Sequence, residues 1–121
     1  MAKRTGPTNV QLKALIEFLR MQAVEHKADI WKRIADDLER PTRKRRIVNL
    51  YKLDKFTKEN ENVVVPGKVL GGGIITHKIN VAAFSFSEGA KQKILNAKGT
   101  CIEIPEMVKK SPKGHNVRII G

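Results

Sequence analysis

The chain has 121 residues, enough for one domain with a core and too few for two well-cored domains and a linker. Lysine and arginine number 24 against 12 aspartates and glutamates, a net charge of +12, and hydrophobic residues make up 40%. This argues against wholesale disorder and makes nucleic acid or an anionic membrane the natural partner, while 5% aromatics weigh against a base-stacking sheet and the single cysteine, Cys101, excludes an intrachain disulfide or a multi-cysteine zinc site.

Residues 1–8 form a basic arm with Lys3, Arg4 and the breakers Gly6 and Pro7. A helix follows, capped by Thr8 or Asn9, with Leu12, Leu15, Ile16, Leu19 and Ala23 on one stripe that fades near His26. A second helix spans residues 29–39 with Asp29 as its N-cap. Ile30, Ile34 and Leu38 share a face beside Trp31 and Ala35, and Pro41 stops the helix. The short connection at Lys27 and Ala28 makes the two helices neighbours. After the basic run RPTRKRR (residues 40–46), residues 47–50 read as a short strand, 51–57 as one or two helical turns and 58–62 as a polar turn. Val63, Val64 and Val65 begin a strand that Pro66 and Gly67 bend, and Gly71 to Gly73 interrupt any regular element.

Residues 79–86 are the clearest strand. Ile79, Val81 and Ala83 alternate with Ala82, Phe84 and Phe86, so both faces are apolar and the strand is expected to be covered on both sides. Ser87, or Ser85 with Glu88 as a capping box, starts a helix to about Ala97, and Gly99 stands where a helix-ending glycine belongs. Residues 100–104 read as a strand with Ile102 and Ile104 on one face, 109–114 as a basic loop, and 116–120 as a final strand. Leu15, Leu19, Ile34 and Phe84 are expected to be buried. No stretch reaches the roughly 18 to 20 apolar residues of a membrane helix, and Glu17 and Arg20 spoil the first apolar segment as a signal-peptide core. The expectation is a soluble, intracellular α/β protein, with an N-terminal helical pair packed on a small core of short strands and helices.

The run over residues 40–46 is the strongest functional signal: Arg40, Arg43, Lys44, Arg45 and Arg46 repel one another, and a polyanion relieves that repulsion and releases counterions. The bland alternative is a solvated linker, which the overall +12 makes less attractive. The loops PGKVLGGG and KKSPKG set Lys68, Lys109, Lys110 and Lys113 beside glycine or proline. The first of them matches neither a phosphate-binding P-loop nor a dinucleotide fingerprint, because Val69 follows Lys68 and Thr76 stands where the last glycine would be. The three glycines are read either as a turn or as a close approach to an RNA backbone. His26 reads as a helix-end residue. His77 and His115 sit beside glycine and lysine, where they can touch phosphate; no histidine has a metal-ligand partner at helical spacing. Cys101 reads as a semi-buried thiol and Trp31 as core. Nothing assembles a catalytic site. A helix-turn-helix DNA-binding protein is the alternative function. Against it, the second helix would bring Asp29, Asp36, Asp37 and Glu39 to the duplex.

The segments VVVPGKVLGGG, INVAAFSFSEGAKQKILNAKG and the closing GHNVRIIG resemble the archaeal form of the ribosomal protein family L-eighteen-e, which is related in fold to bacterial L-fifteen; the helices, RPTRKRR and VNLYKLDKFTKE fit as well. The resemblance covers nearly the whole chain from about Asn9. It implies one ribosomal-protein domain: a basic arm over residues 1–8, a helical region over 9–40 and an irregular β/α superhelical core over 47–121. It also implies a cytoplasmic, non-catalytic constituent of the large ribosomal subunit. Its partners would be large-subunit ribosomal RNA and neighbouring ribosomal proteins, with no cofactor, no metal, no membrane and no small-molecule substrate. By position, the RNA-facing candidates are Lys3, Arg4, Arg40, Arg43, Lys44, Arg45, Arg46, Lys68, Gly71, Gly72, Gly73, His77, Lys78, Lys109, Lys110, Lys113, His115 and Arg118.

Overall fold

Alternating apolar residues on the two longest strands split the interior into two cores, one on each face of a single sheet. The computed structural model describes residues 7–39 and 46–120, with side chains over 10–39 and 47–120. In chain order its elements are α1 (Pro7–His26), α2 (Asp29–Leu38), β1 (Arg46–Asn49), α3 (Leu50–Phe56), β2 (Glu61–Leu70), β3 (Ile79–Phe86), α4 (Glu88–Asn96), β4 (Thr100–Glu103), α5 (Ile104–Lys110) and β5 (Val117–Ile119).

All strand pairs are parallel, in the order β1-β2-β3-β4. β5 joins β2 over residues 62–64 while β1 joins it over residues 67–70, so the two short strands share one edge of β2. Between them the β2–β3 register shifts: Pro66 and Gly67 span the interval that Phe84 alone spans on β3. A proline has no N–H for the ladder, and the bulge accommodates it without ending the strand.

On one face Val64 and Ala82 meet Leu12, Ile16 and Leu19 of α1, Trp31, Ile34 and Leu38 of α2, and Ile104, Met107 and Val108 of α5. On the other, Val63, Val65, Val69, Val81 and Ala83 meet Leu50 and Leu53 of α3 and Ala90 and Ile94 of α4. Each fully buried Leu or Ile contributes about 1.5–3 kcal/mol. β3 is thus covered on both sides, as its sequence implies. Leu19 and Ile34 are fully buried, whereas Leu15 and Phe84 are half-buried at the edge of the helical core.

Several local readings need correction. The described chain is already helical at Pro7, so Thr8 and Asn9 lie within α1 rather than capping it. Ala28, with extended backbone, is the N-cap of α2, and Asp29 is its first helical residue, where its charge suits the helix dipole. α1 ends with Lys27 in the left-handed region (φ 53°), and the Ala28 N–H donates to the Ala23 carbonyl at 3.0 Å. α4 ends in the same way: Lys98 (φ 67°) takes the left-handed position and the Gly99 N–H donates to the Ile94 carbonyl at 2.9 Å. Gly99 is needed instead for proximity, since a Cβ there would collide with the Ile79 carbonyl oxygen. β2 begins at Glu61, two residues before Val63. Phe86 packs with the α3/α4 core, not on the face of Ala82 and Phe84. Ile104 does not extend β4; it opens α5, where Pro105 suits the first turn and Glu106 accepts from the Glu103 N–H at 3.4 Å. The choice of Ser87 as cap of α4 agrees with its hydroxyl accepting from the Ala90 N–H at 3.2 Å.

Candidate nucleic-acid interface

Charge is divided between the two halves of the chain. Residues 7–39 carry five Lys or Arg and six Asp or Glu, whereas residues 40–121 carry seventeen and six. The helical pair also ties up its arginine at position 20: Arg20 of α1 donates to Asp36 at 3.1 Å and to Glu39 at 2.6 Å. The Arg20 bond holds the Glu39 carboxyl below the usual carboxylate range and raises the guanidinium in turn. α2 buries Trp31, Ile34, Ala35 and Leu38, so its apolar face is committed to the core and its acidic side to α1. That arrangement does not offer a recognition helix to a DNA groove.

Of the sequence-derived candidates, Lys3, Arg4, Arg40, Arg43, Lys44 and Arg45 lie outside the described residues. Arg46 is placed by its backbone as the first residue of β1, in register with Gly67. Lys68 is exposed on β2, abreast of Ile47 and Ser85.

The glycine loop is tied to the protein itself. The Gly72 N–H donates to Asn49 Oδ1 at 3.0 Å, the Tyr51 N–H to the Gly72 carbonyl at 2.9 Å, and Lys93 Nζ to the Gly71 and Gly73 carbonyls, both at 2.9 Å. A Cβ on Gly73 (φ 91°) would stand 2.6 Å from Tyr51 Cβ, and one on Gly72 would stand 2.5 Å from Asn49 Oδ1. Intramolecular packing alone therefore accounts for glycine at both positions. An alanine scan of the loop would read stability before it read any contact with RNA.

His77 is half-buried and engaged within the protein as well: Nε2 lies 2.8 Å from the Thr57 hydroxyl and Nδ1 3.3 Å from Asp54 Oδ1. Asp54 also accepts from the Thr76 N–H at 2.8 Å and its hydroxyl at 2.7 Å. These bonds hold the Asp54 carboxyl below its ordinary range, the Thr76 N–H contributing most. Arg118 is engaged by Glu61 at 3.2 Å and donates to the Phe56 carbonyl.

Only part of KKSPKG is a loop: Lys109 and Lys110 form the last turn of α5, where their charge suits the helix dipole, and the segment from Ser111 onward is fixed by the helical core. The Trp31 indole N–H donates to the Pro112 carbonyl at 2.7 Å, and Gly114 (φ 73°) packs directly on Ile30. Lys109 and Lys110 on that turn and Lys113 and His115 on the anchored segment are exposed, Lys110 lying 3.5 Å from Asn62 Oδ1. Asn62 is one end of a polar ladder. It accepts from Asn80 at 3.1 Å, and Thr100 donates to Asn80 at 2.9 Å. An open cleft of about 510 Å³ lies beside it, lined by Asn60, Glu61, Asn62, Asn116, Val117 and Arg118. Lys78 is exposed at the same end of the sheet, together with Lys58 and Lys98, two lysines that the sequence-derived set omits. The available sequence signal was their place just before a strand.

Cys101 is half-buried and burial pushes its thiol up, which suits an inert cysteine. Among the described residues no three His, Cys, Asp or Glu side chains gather as metal ligands, and no helix is long and apolar enough to cross a membrane.

Comparison with known proteins agrees with the sequence resemblance. The family described as "Ribosomal protein 60S L18 and 50S L18e" matches residues 2–121. "Large ribosomal subunit protein eL18" of Pyrobaculum aerophilum is 48% identical over 116 residues, covering 96% of this chain and 95% of that protein. The proteins of the same name from Methanopyrus kandleri and Archaeoglobus fulgidus are each 46% identical; the alignments cover 96% and 93% of this chain and 95% and 97% of theirs. Each of these relatives is named as a protein of the large ribosomal subunit. With near-complete coverage in both directions and a match along the whole fold, the chain belongs to the ribosomal protein L18/L18e family.

Proposed function

We propose that this protein is a non-catalytic constituent of the large ribosomal subunit that binds large-subunit ribosomal RNA through its basic surface, in the company of neighbouring ribosomal proteins. The observation that carries the reading is the charge segregation within a member of this family: seventeen of the 24 cations fall in residues 40–121, against only six carboxylates there. A polyanion rewards that imbalance by counterion release, and forked guanidinium groups suit phosphate oxygens. Arg43, Lys44, Arg45 and Arg46 are assigned to phosphates rather than base edges, because crowded cations suit a backbone track.

Sedimentation of a lysate in low salt tests the reading: the protein should co-migrate with large subunits and be released by high salt. Material that stays at the top of the gradient at low salt overturns it. Replacing Arg43, Lys44, Arg45 and Arg46 together by Ala should flatten the salt dependence of RNA binding by up to about 0.7 to 0.9 log units for each phosphate that is no longer neutralised. An unchanged slope removes the arginine run from the interface.

A further inference from the structure

The parallel register sets one residue of each of four strands abreast: Val117 of β5, Asn62 of β2, Asn80 of β3 and Thr100 of β4. Two residues earlier in the chain, just before each strand begins, stand His115, Asn60, Lys78 and Lys98, all exposed, with Lys58 and Lys113 two residues further back. Backbone contacts hold these turns together. The Asn60 N–H donates to the Lys78 carbonyl at 2.6 Å, and Gly99 lies directly against the Ile79 backbone.

Among the described residues, the ammonium groups of Lys58, Lys78, Lys98 and Lys113 form no ion pair. Glu61 is occupied, since it accepts the Lys58 N–H at 2.9 Å and pairs with Arg118 at 3.2 Å, and the exposed Glu59 beside Lys58 forms no ion pair with these lysines. The opposite ends of β3 and β4 carry the reverse sign, with Glu88, Glu103 and Glu106. Favourable charge at helix C-termini explains Lys58 after α3, Lys98 after α4 and Lys113 after α5. Lys78 follows no helix, so that explanation does not cover the row.

Resting on the RNA-binding reading above, we propose that Lys113, Lys58, Lys78 and Lys98, in the spatial order of their strands, form one phosphate-binding crest whose ligand is the sugar–phosphate backbone of a single RNA strand. Neighbouring parallel strands lie about 4.8 Å apart. Lys78 and Lys98 stand at matching positions just before adjacent strands and Lys58 and Lys113 two residues further back, so the long flexible stems of all four can reach successive phosphates of one strand. The crest reads backbone and not sequence; it is separate in the fold from the start of β1, where the arginine run ends.

The test is filter binding of transcribed large-subunit ribosomal RNA across a salt series, with circular dichroism to confirm folding. Three proteins are compared: wild type, the triple variant Lys58→Ala, Lys78→Ala, Lys98→Ala, and a charge-matched control, Lys13→Ala, Lys32→Ala, Lys91→Ala. The crest variant should flatten the salt slope by about 2 to 3 log units, at roughly 0.7 to 0.9 per phosphate, with the control close to wild type. Arginine at the three crest positions should restore the slope. Wild-type binding with equal slopes in the crest and control variants overturns the crest alone. Failure of the wild-type protein to bind RNA overturns the broader reading and the crest with it.

Discussion

Trp31→Phe isolates the joint between the helical core and the KKSPKG loop. Trp31 is fully buried, and its indole N–H reaches the Pro112 carbonyl at 2.7 Å. Phenylalanine keeps an aromatic ring in the site but has no donor. Pro112 is half-buried, so water can partly replace the lost bond. The expected loss is then near the lower end of the 1–3 kcal/mol for an unmet buried group, about 1–1.5 kcal/mol. The smaller ring leaves a few tens of Å³ empty, which adds about 1 kcal/mol at roughly 24 cal/mol per Å³. Together these give about 2–2.5 kcal/mol, a large fraction of the 5–15 kcal/mol typical of a domain. For a chain of this size that lowers Tm by about 8–12 °C. Trp31 is the only tryptophan, so unfolding is followed by far-ultraviolet circular dichroism rather than fluorescence. Trypsin should also cut after Lys113 faster in the variant, at temperatures where both proteins remain folded. A variant that melts with wild type and resists trypsin equally would refute the claim that this bond anchors the loop.

Leu19→Ala opens a hole in the centre of the α1–α2 core, where Leu19 is fully buried, and should cost about 2–5 kcal/mol in urea denaturation, with RNA affinity per folded molecule retained. Gly99→Ala forces a methyl group onto the Ile79 backbone, with Ile94 Cγ2 only 3.1 Å away, and should destabilise by about 1–3 kcal/mol; an unchanged denaturation midpoint would show that β3 and the end of α4 are not in close contact. The Asp54 carboxyl sits below its ordinary range in the folded protein, so its contribution is present above the unfolded value of about 3.9 and fades as pH falls through the folded one. The stability gap between wild type and Asp54→Asn should accordingly be widest above about pH 4 and narrow in stronger acid. A gap independent of pH would mean that the Thr76 hydrogen bonds do not favour the charged form.

Much of the fold was legible because it rests on local periodicity. The stripe of Leu12, Ile16 and Leu19, the stripe of Ile34 and Leu38, and the two-sided apolar pattern of β3 each state a burial requirement without any partner being known. The misread segments are those where a tertiary demand outranks the local signal. Ile102 and Ile104 alternate like a strand, yet the chain turns at Glu103 because α5 must cover the sheet with Met107 and Val108. Gly99 looks like a left-handed helix end, whereas Lys98 takes that conformation and the missing Cβ serves a contact with β3, twenty residues earlier in sequence.

The candidate site divides along the same line. Its chemistry belongs to composition: seventeen cations against six carboxylates in residues 40–121 favour a polyanionic partner wherever the side chains point. Which cations are free depends on three-dimensional neighbours that no spacing encodes. Arg118, Lys93 and His77 carry the right residue types, yet Glu61, the glycine-loop carbonyls, and Asp54 with Thr57 engage them. Lys58 and Lys98 are inconspicuous in the sequence and become neighbours of Lys78 only because parallel pairing aligns strand ends some twenty residues apart along the chain. Charge and periodicity are properties of the chain, but adjacency is a property of the pairing, and pairing is settled by the two cores that form on either side of the sheet.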